Sequence, residues 1–163
     1  GNHFCKDANG NDFKCGVWPG YCHLVDVLND EHRKWFGDQY KFLLDKGIDG
    51  IWNDMNEPSI FYTDERLNEA YEMVDRLRGS ELDLQTYFGM RKKFSTLSSN
   101  PKDYQLFYHD INGKKVRHDK VHNLYGYNLS RAAGEAFERM SPDKRILFFS
   151  RSSMIGMHRY SGI

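Results

Sequence analysis

The chain has 163 residues, 39% of them apolar and 15% aromatic, which is enough to bury one domain-sized core. Its 23 basic and 23 acidic side chains cancel to a formal net charge of zero, which excludes an electrostatic footprint for nucleic acid or an anionic membrane surface. No apolar run approaches the roughly 20 residues that a transmembrane helix requires.

Residues 1–16 carry the turn signals Asn9-Gly10 and Cys15-Gly16 and read as a loop or hairpin. Asp7-Ala8-Asn9-Gly10-Asn11-Asp12 has some of the oxygens of a calcium loop but neither its full spacing nor its distal Glu, so a simple turn is expected. Gly16 to Gly20 reads as a brief strand ended by Pro19-Gly20. Cys5, Cys15 and Cys22 are odd in number and lack C-x-x-C spacing. That argues against structural zinc and for free thiols in a reducing, cytoplasmic setting, with a Cys15–Cys22 disulfide left open.

A helix is predicted from Asp30 to Lys46, capped by Asn29, with Asp30 and Glu31 suited to its positive end. Trp35, Phe36, Tyr40, Phe42, Leu43 and Leu44 form its apolar face, and Gly47 stops it. Ile48 to Trp52 then reads as a short buried strand that Pro58 prevents from running on. Asn53, Asp54, Asn56 and Glu57 crowd polar groups where that strand spills into a loop, the place where parallel β/α proteins build their sites.

From Ser59 to Val121 the simple alternation lapses. Leu67, Ala70, Tyr71, Val74 and Leu77 recur at helical spacing before Gly79. Leu84, Tyr87, Phe88, Phe94 and Leu97 mark a second helix, and Asn112-Gly113 between short apolar stretches predicts a hairpin. A helix follows from about Asn123 to Met140. Arg145 to Phe149 then reads as a continuous apolar strand of the kind buried in parallel sheets, with Ser150-Arg151-Ser152 at its end.

Trp52-Asn53-Asp54-Met55-Asn56-Glu57 resembles the nucleophile motif of glycoside hydrolase family 31, the α-glucosidase family. The rest is collinear with it. Val17-Trp18-Pro19-Gly20, Arg33-Lys34-Trp35-Phe36, His122-Asn123-Leu124-Tyr125-Gly126, Arg151-Ser152-Ser153 and Gly156-Met157-His158-Arg159-Tyr160 are each similar to family segments in the same order. The resemblance implies an α/β fold: residues 1–163 as an interior part of the catalytic (β/α)8 barrel, with an α-helical plus hairpin insertion at about 59–121 after the nucleophile strand. A whole barrel takes about 250 residues. Sheet edges and apolar faces are therefore expected to need cover, from the remainder of the parent enzyme or a self-association partner.

The resemblance further implies a retaining α-glucosidase that releases terminal α-linked glucose from an α-glucoside or oligosaccharide through a covalent glycosyl-Asp intermediate, without metal or cofactor. Asp54 is the implied nucleophile and Glu57 its support; Trp52 and Met55 wall the sugar pocket, and Arg151 binds sugar hydroxyls and keeps Asp54 ionised. Strand alternation places Asp54 with Ile48, Gly50 and Trp52, toward a barrel interior. The family's acid/base Asp follows a Gly a few residues beyond Ser161-Gly162-Ile163, so little hydrolysis of ordinary α-glucosides is expected from this chain alone. The alternatives are α-xylosidase, transglucosidase or α-glucan lyase activity, or a non-catalytic carbohydrate-binding module. His118 and His122 have the spacing of a metal-binding pair without a third ligand, so a hydrogen-bonded His122 at a helix start is expected instead. Ser152 and Ser153 lack the G-x-S-x-G setting of a nucleophilic serine.

Overall fold

Asp7 closes the first turn. Its Oδ1 accepts the backbone N–H groups of Asn9 (2.8 Å) and Asn11 (2.9 Å), so the carboxylate is spent on the turn itself. Strand β1 (Lys14–Val17) and strand β2 (Gly20–His23) follow as an antiparallel hairpin, with Cys15 opposite Cys22. Trp18-Pro19 is thus the turn of a hairpin and not the end of a lone strand. All three cysteines are free. In this computed structural model residues 2–152 and 154–162 are described; Gly1, Ser153 and Ile163 lie outside the described residues.

Helix α1 (Asp30–Asp38) starts as its sequence dictates, with Asn29 Oδ1 accepting from the N–H of Glu31 (3.0 Å) and His32 (3.2 Å). The single helix expected to reach Lys46 is interrupted at Gln39-Tyr40, and α2 (Lys41–Leu44) is a separate short turn. The cause is Tyr40. Its N–H tightens onto Gly37 O, and its buried hydroxyl donates to Asn53 Oδ1 at 2.7 Å, which turns the chain inward. Phe42, assigned above to the apolar face, instead points to solvent beneath the Lys46 ammonium. Strand β3 (Gly50–Asn53) begins two residues later than predicted.

Helices α3 (Asp64–Leu77) and α4 (Leu84–Ser95) are capped by Thr63 and Asp83 and pack on each other, tied by Lys93 and Arg66 on Glu69. Strands β4 (Tyr108–Ile111) and β5 (Lys114–Arg117) form a hairpin whose turn, Asn112 (φ 53°) and Gly113 (φ 78°), needs the left-handed conformation that Asn-Gly tolerates. This hairpin joins the N-terminal one. Lys6 and Tyr108 exchange both backbone hydrogen bonds, and the Phe107 ring stacks on Phe13 with centroids 4.5 Å apart. Cys5, Phe13, Cys15, Leu24, Ile60 and Phe107 make one core from these segments.

Helix α5 (His122–Met140) lies along α1, where Gly37 backs onto the Ala132 carbonyl so closely that no side chain fits. Strand β6 (Leu147–Ser150) pairs with β3 in parallel, Trp52 beside Phe149 and Asn53 beside Ser150. Tyr40, Ala133, Phe137 and Phe148, joined by Ile51, fill the space between helices and strands. The stretch expected to be buried on both sides is covered on one. Phe148 is buried while Leu147 is 60% and Phe149 45% exposed, and Trp52 on β3 is 66% exposed. Helices sit against one face of the pair, so alternate side chains reach solvent. Among the described residues, no helix is long and apolar enough to cross a membrane.

Candidate active site

The two parallel strands end side by side, and the residues just past each end form the site. Arg151 N–H donates to Asn53 O at 3.1 Å, carrying the ladder one step beyond the strands. Asn56, almost fully buried, then stitches the two loops together: its Nδ2 donates to Ser150 Oγ (2.8 Å), and its Oδ1 accepts from Ser152 N–H (3.0 Å). Helix α5 completes the floor. A Cβ at Gly126 would lie 2.7 Å from Ser152 Oγ and 3.0 Å from the Asn56 carbonyl oxygen, so the close approach of helix and loops depends on that glycine.

On this frame Asp54, Glu57 and Arg151 converge. Asp54 Oδ1 accepts the N–H of Met55 at 2.8 Å and faces Arg151 Nη1 at 3.2 Å. Arg151 grips Glu57 with two donors, Nε to Oε1 at 3.0 Å and Nη2 to Oε2 at 2.9 Å, and Nη2 also reaches Ser59 Oγ at 2.9 Å. Ser59 in turn donates to Glu57 Oε2 at 2.6 Å. Partial burial pushes the Glu57 carboxyl up, but the hydrogen bonds from Arg151 and Ser59 outweigh it and hold it below its ordinary value. The same bonds to Glu57, with the charge of Asp54, push the Arg151 guanidinium up. Asp54 and Arg151 are 40% and 43% exposed, so the pair adds little to stability and serves chiefly to place charge.

Among the described residues only Oδ1 of Asp54 is engaged, which leaves Oδ2 open to an incoming group. Met55 holds a left-handed backbone conformation (φ 56°), an unusual one for its residue type, and its Sδ lies 3.0 Å from Trp18 Nε1. Trp18 rests edge-on against Phe61. Trp52 stands exposed on the open face of β3, the side on which alternation places Asp54. The sequence-expected residues therefore lie at one pair of strand ends. The roles of Ser59, of Trp18 as a neighbour of Met55, and of Gly126 as the spacer under the loops do not follow from the sequence; Gly126, inside a helical pattern, and Trp18, in a segment similar to the family's, carried a local signal, and Ser59 carried none.

A second polar cluster lies in the interior between the hairpins and α5. Cys5, Asp26 and His109, all buried, hold their possible ligand atoms within 4.8 Å of one another. Asp26 Oδ1 and His109 Nδ1 are only 2.6 Å apart. That is a hydrogen bond, and it is tighter than the roughly 3.3 Å expected of two ligands sharing a tetrahedral zinc with bonds of about 2.0 Å. His118 and His122 bond to each other, Nε2 to Nδ1 at 2.8 Å, with His122 opening α5.

Parallel strands backed by helices, with an acid–arginine–acid cluster at their C-terminal ends, define a β/α domain whose site sits where such folds place theirs. The chain belongs to glycosyl hydrolase family 31, whose TIM-barrel domain description matches residues 1–163. It is similar to an α-glucosidase of Saccharolobus solfataricus (32% identity, 98% of this chain, 21% of the relative) and to α-glucosidase 2 of Bacillus thermoamyloliquefaciens (30%, 99%, 16%). It thus spans about a fifth or less of those curated relatives. Among solved structures, a Flavobacterium johnsoniae dextranase complexed with glucose shares the fold, with a TM-score of 0.65 at 23% identity over 98% of this chain and 15% of that one. An endoplasmic-reticulum glucosidase II complex of catalytic and regulatory subunits matches with a TM-score of 0.61 at 25% identity over 99% and 14%.

Proposed function

We propose that this chain carries the nucleophile of a retaining α-glucosidase, with residues 1–163 as part of the catalytic barrel and 59–121 inserted after the nucleophile strand. The observation that supports this most is the disposition of Asp54. Its Oδ1 is held by Met55 N–H and Arg151, and its Oδ2 is free at the mouth of a parallel strand.

In this reading Asp54 Oδ2 attacks the anomeric carbon of a terminal α-linked glucose as the bond to the leaving oxygen breaks. Arg151 sets its positive charge beside Asp54 Oδ1, while Glu57 and Ser59 lock its Nε/Nη2 edge and aim Nη1 at the sugar side. Trp52 and Met55 form the apolar wall. A second carboxyl group roughly 5–5.5 Å from the first protonates the leaving oxygen and later activates water. Glu57, bound edge-to-edge by Arg151, is unsuited to that task. Arrival of the rest of the barrel over Trp52, Leu147 and Phe149 completes the pocket, and three free thiols suit a reducing, cytoplasmic location.

Incubation with a fluorinated glucosyl donor that has a good leaving group tests this, because such a donor needs little acid assistance. A single glucosyl adduct on the Asp54 peptide, absent in Asp54→Ala, is the expected result. Labelling of another carboxylate, or none here and none in the longer parent chain, overturns the assignment.

A further inference from the structure

Four buried or half-buried side chains, drawn from the loop before α1 and from the β4–β5–α5 segment, form one hydrogen-bond line, with Cys5 Sγ beside its inner end at 3.5 Å from His109 Nδ1. Asp26 Oδ1 lies 2.6 Å from His109 Nδ1, His109 Nε2 lies 2.9 Å from His118 Nδ1, and His118 Nε2 lies 2.8 Å from His122 Nδ1. Asp26, His109 and His118 are almost fully buried, and His122 is the outer end. Aromatic rings sheathe the line: Phe107 stacks on His118 at 4.2 Å and Tyr104 on His122 at 4.3 Å. None of this is used by the site at Asp54.

The line has a polarity that elementary bookkeeping fixes. A neutral imidazole has one N–H and one lone pair. Asp26 Oδ2 already accepts the backbone N–H of Asp110 at 2.7 Å, so the carboxylate presents Oδ1 to His109 as an acceptor, and the Cys5 thiol donates its own proton to Val25 O at 3.6 Å, which leaves Sγ no proton to give His109 Nδ1. His109 must then carry its proton on Nδ1 and accept at Nε2. His118 must donate from Nδ1 and accept at Nε2, and His122 must donate from Nδ1. We infer that Asp26 is a positioning residue that acts through His109 and His118 to hold all three imidazoles as Nδ1–H tautomers, so that His122 presents Nε2 to its surroundings as a hydrogen-bond acceptor.

The consequence reaches the neighbourhood of the candidate site. His122 opens the helix whose Gly126 floors the two loops, and it lies within range of the Glu57 charge. An acceptor-only nitrogen there favours a hydroxyl or N–H donor over a carbonyl or carboxylate. Asp26, in the loop before α1, thereby sets the sign of a hydrogen bond at the start of α5.

The test is long-range 1H–15N correlation of histidine-labelled protein at mildly alkaline pH. Signals are assigned with single Gln substitutions at His3, His23, His32 and His158, which lie outside the line. The expected pattern is Nδ1–H, with bare Nε2, at His109, His118 and His122. Asp26→Asn makes a sharper prediction. With Asn Oδ1 accepting from Asp110, its amide must donate to His109 Nδ1, and all three rings switch to Nε2–H. If that variant does not fold, His122→Gln serves, since it cuts only the outer end and leaves His109 and His118 as Nδ1–H. An Nε2–H form or an imidazolium at His109 in the unsubstituted protein overturns the inference. So does a folded Asp26→Asn protein with unchanged tautomers, or a His122→Gln protein in which His118 switches.

Discussion

His118 is the residue at which burial and charge conflict most sharply. Desolvation first, then the neighbouring His109 and His122, depress its pKa to about 2, against an ordinary 6.5, while Asp119 pulls weakly the other way. The native state therefore refuses a proton that the unfolded chain accepts. Stability from this group is intact above pH 6.5 and declines as pH falls below it, toward the depressed folded value. Urea midpoints measured across this range should drop more steeply in the wild type than in His118→Gln, even though the variant starts lower. Parallel slopes would falsify the assignment. Arg151 makes a second residue-scale case. Lysine keeps the charge but loses the two-donor grip on Glu57. Arg151→Lys should let the Glu57 carboxyl rise toward 4.5 in a carbon-13 titration. It should also slow glucosyl trapping about ten- to a hundredfold, the worth of one charged hydrogen bond.

At the scale of elements, two helical glycines separate packing from propensity. Gly89 in α4 has room: a Cβ there meets only Met73 Cε at 3.5 Å. Gly89→Ala should stabilise the protein by about 0.5–1 kcal/mol. Gly126→Ala gains the same propensity but drives a methyl to 2.9 Å from Ser152 Cβ and 3.0 Å from a backbone oxygen. Overpacking of that kind costs about 1–3 kcal/mol, so a lower melting temperature and loss of trapping are expected together. A folded Gly126→Ala protein with unaltered trapping would show that α5 does not set the loop positions. What the sequence made legible here was local. Asn112-Gly113 names its own turn, Asn29 its own cap, and Trp52 to Glu57 its own strand end. The break at Tyr40 was hidden because the partner of its hydroxyl, Asn53, stands 13 positions on, at the end of β3. The line from Asp26 to His109 spans 83 positions and has no periodicity to betray it. The β2 strand was missed because Trp18-Pro19-Gly20 reads equally as a stop and as a turn.

At the scale of the whole molecule, the helices cover one face of the β3–β6 pair and leave the other to solvent. Trp52, Leu147 and Phe149 line that face, and in the proposed reading it would face the barrel interior. The paired Trp52 and Phe149 lie just before the candidate nucleophile on this face, so in the proposed reading the surface that most needs cover is the surface on which a sugar would rest. Burying three large apolar side chains is worth about 1.5–3 kcal/mol each, less the cost of ordering a partner. The chain should therefore associate as concentration rises, detectable by sedimentation equilibrium. The double variant Leu147→Lys, Phe149→Lys should remain monomeric with its helical circular dichroism unchanged, because both side chains point away from the Tyr40–Phe137–Phe148 core. Addition of the remaining barrel as a separate polypeptide should suppress self-association of the wild type and raise trapping at Asp54 in the same titration. Suppression without a rise in trapping would mean that the face is an assembly surface alone, and that the pocket wall is built elsewhere.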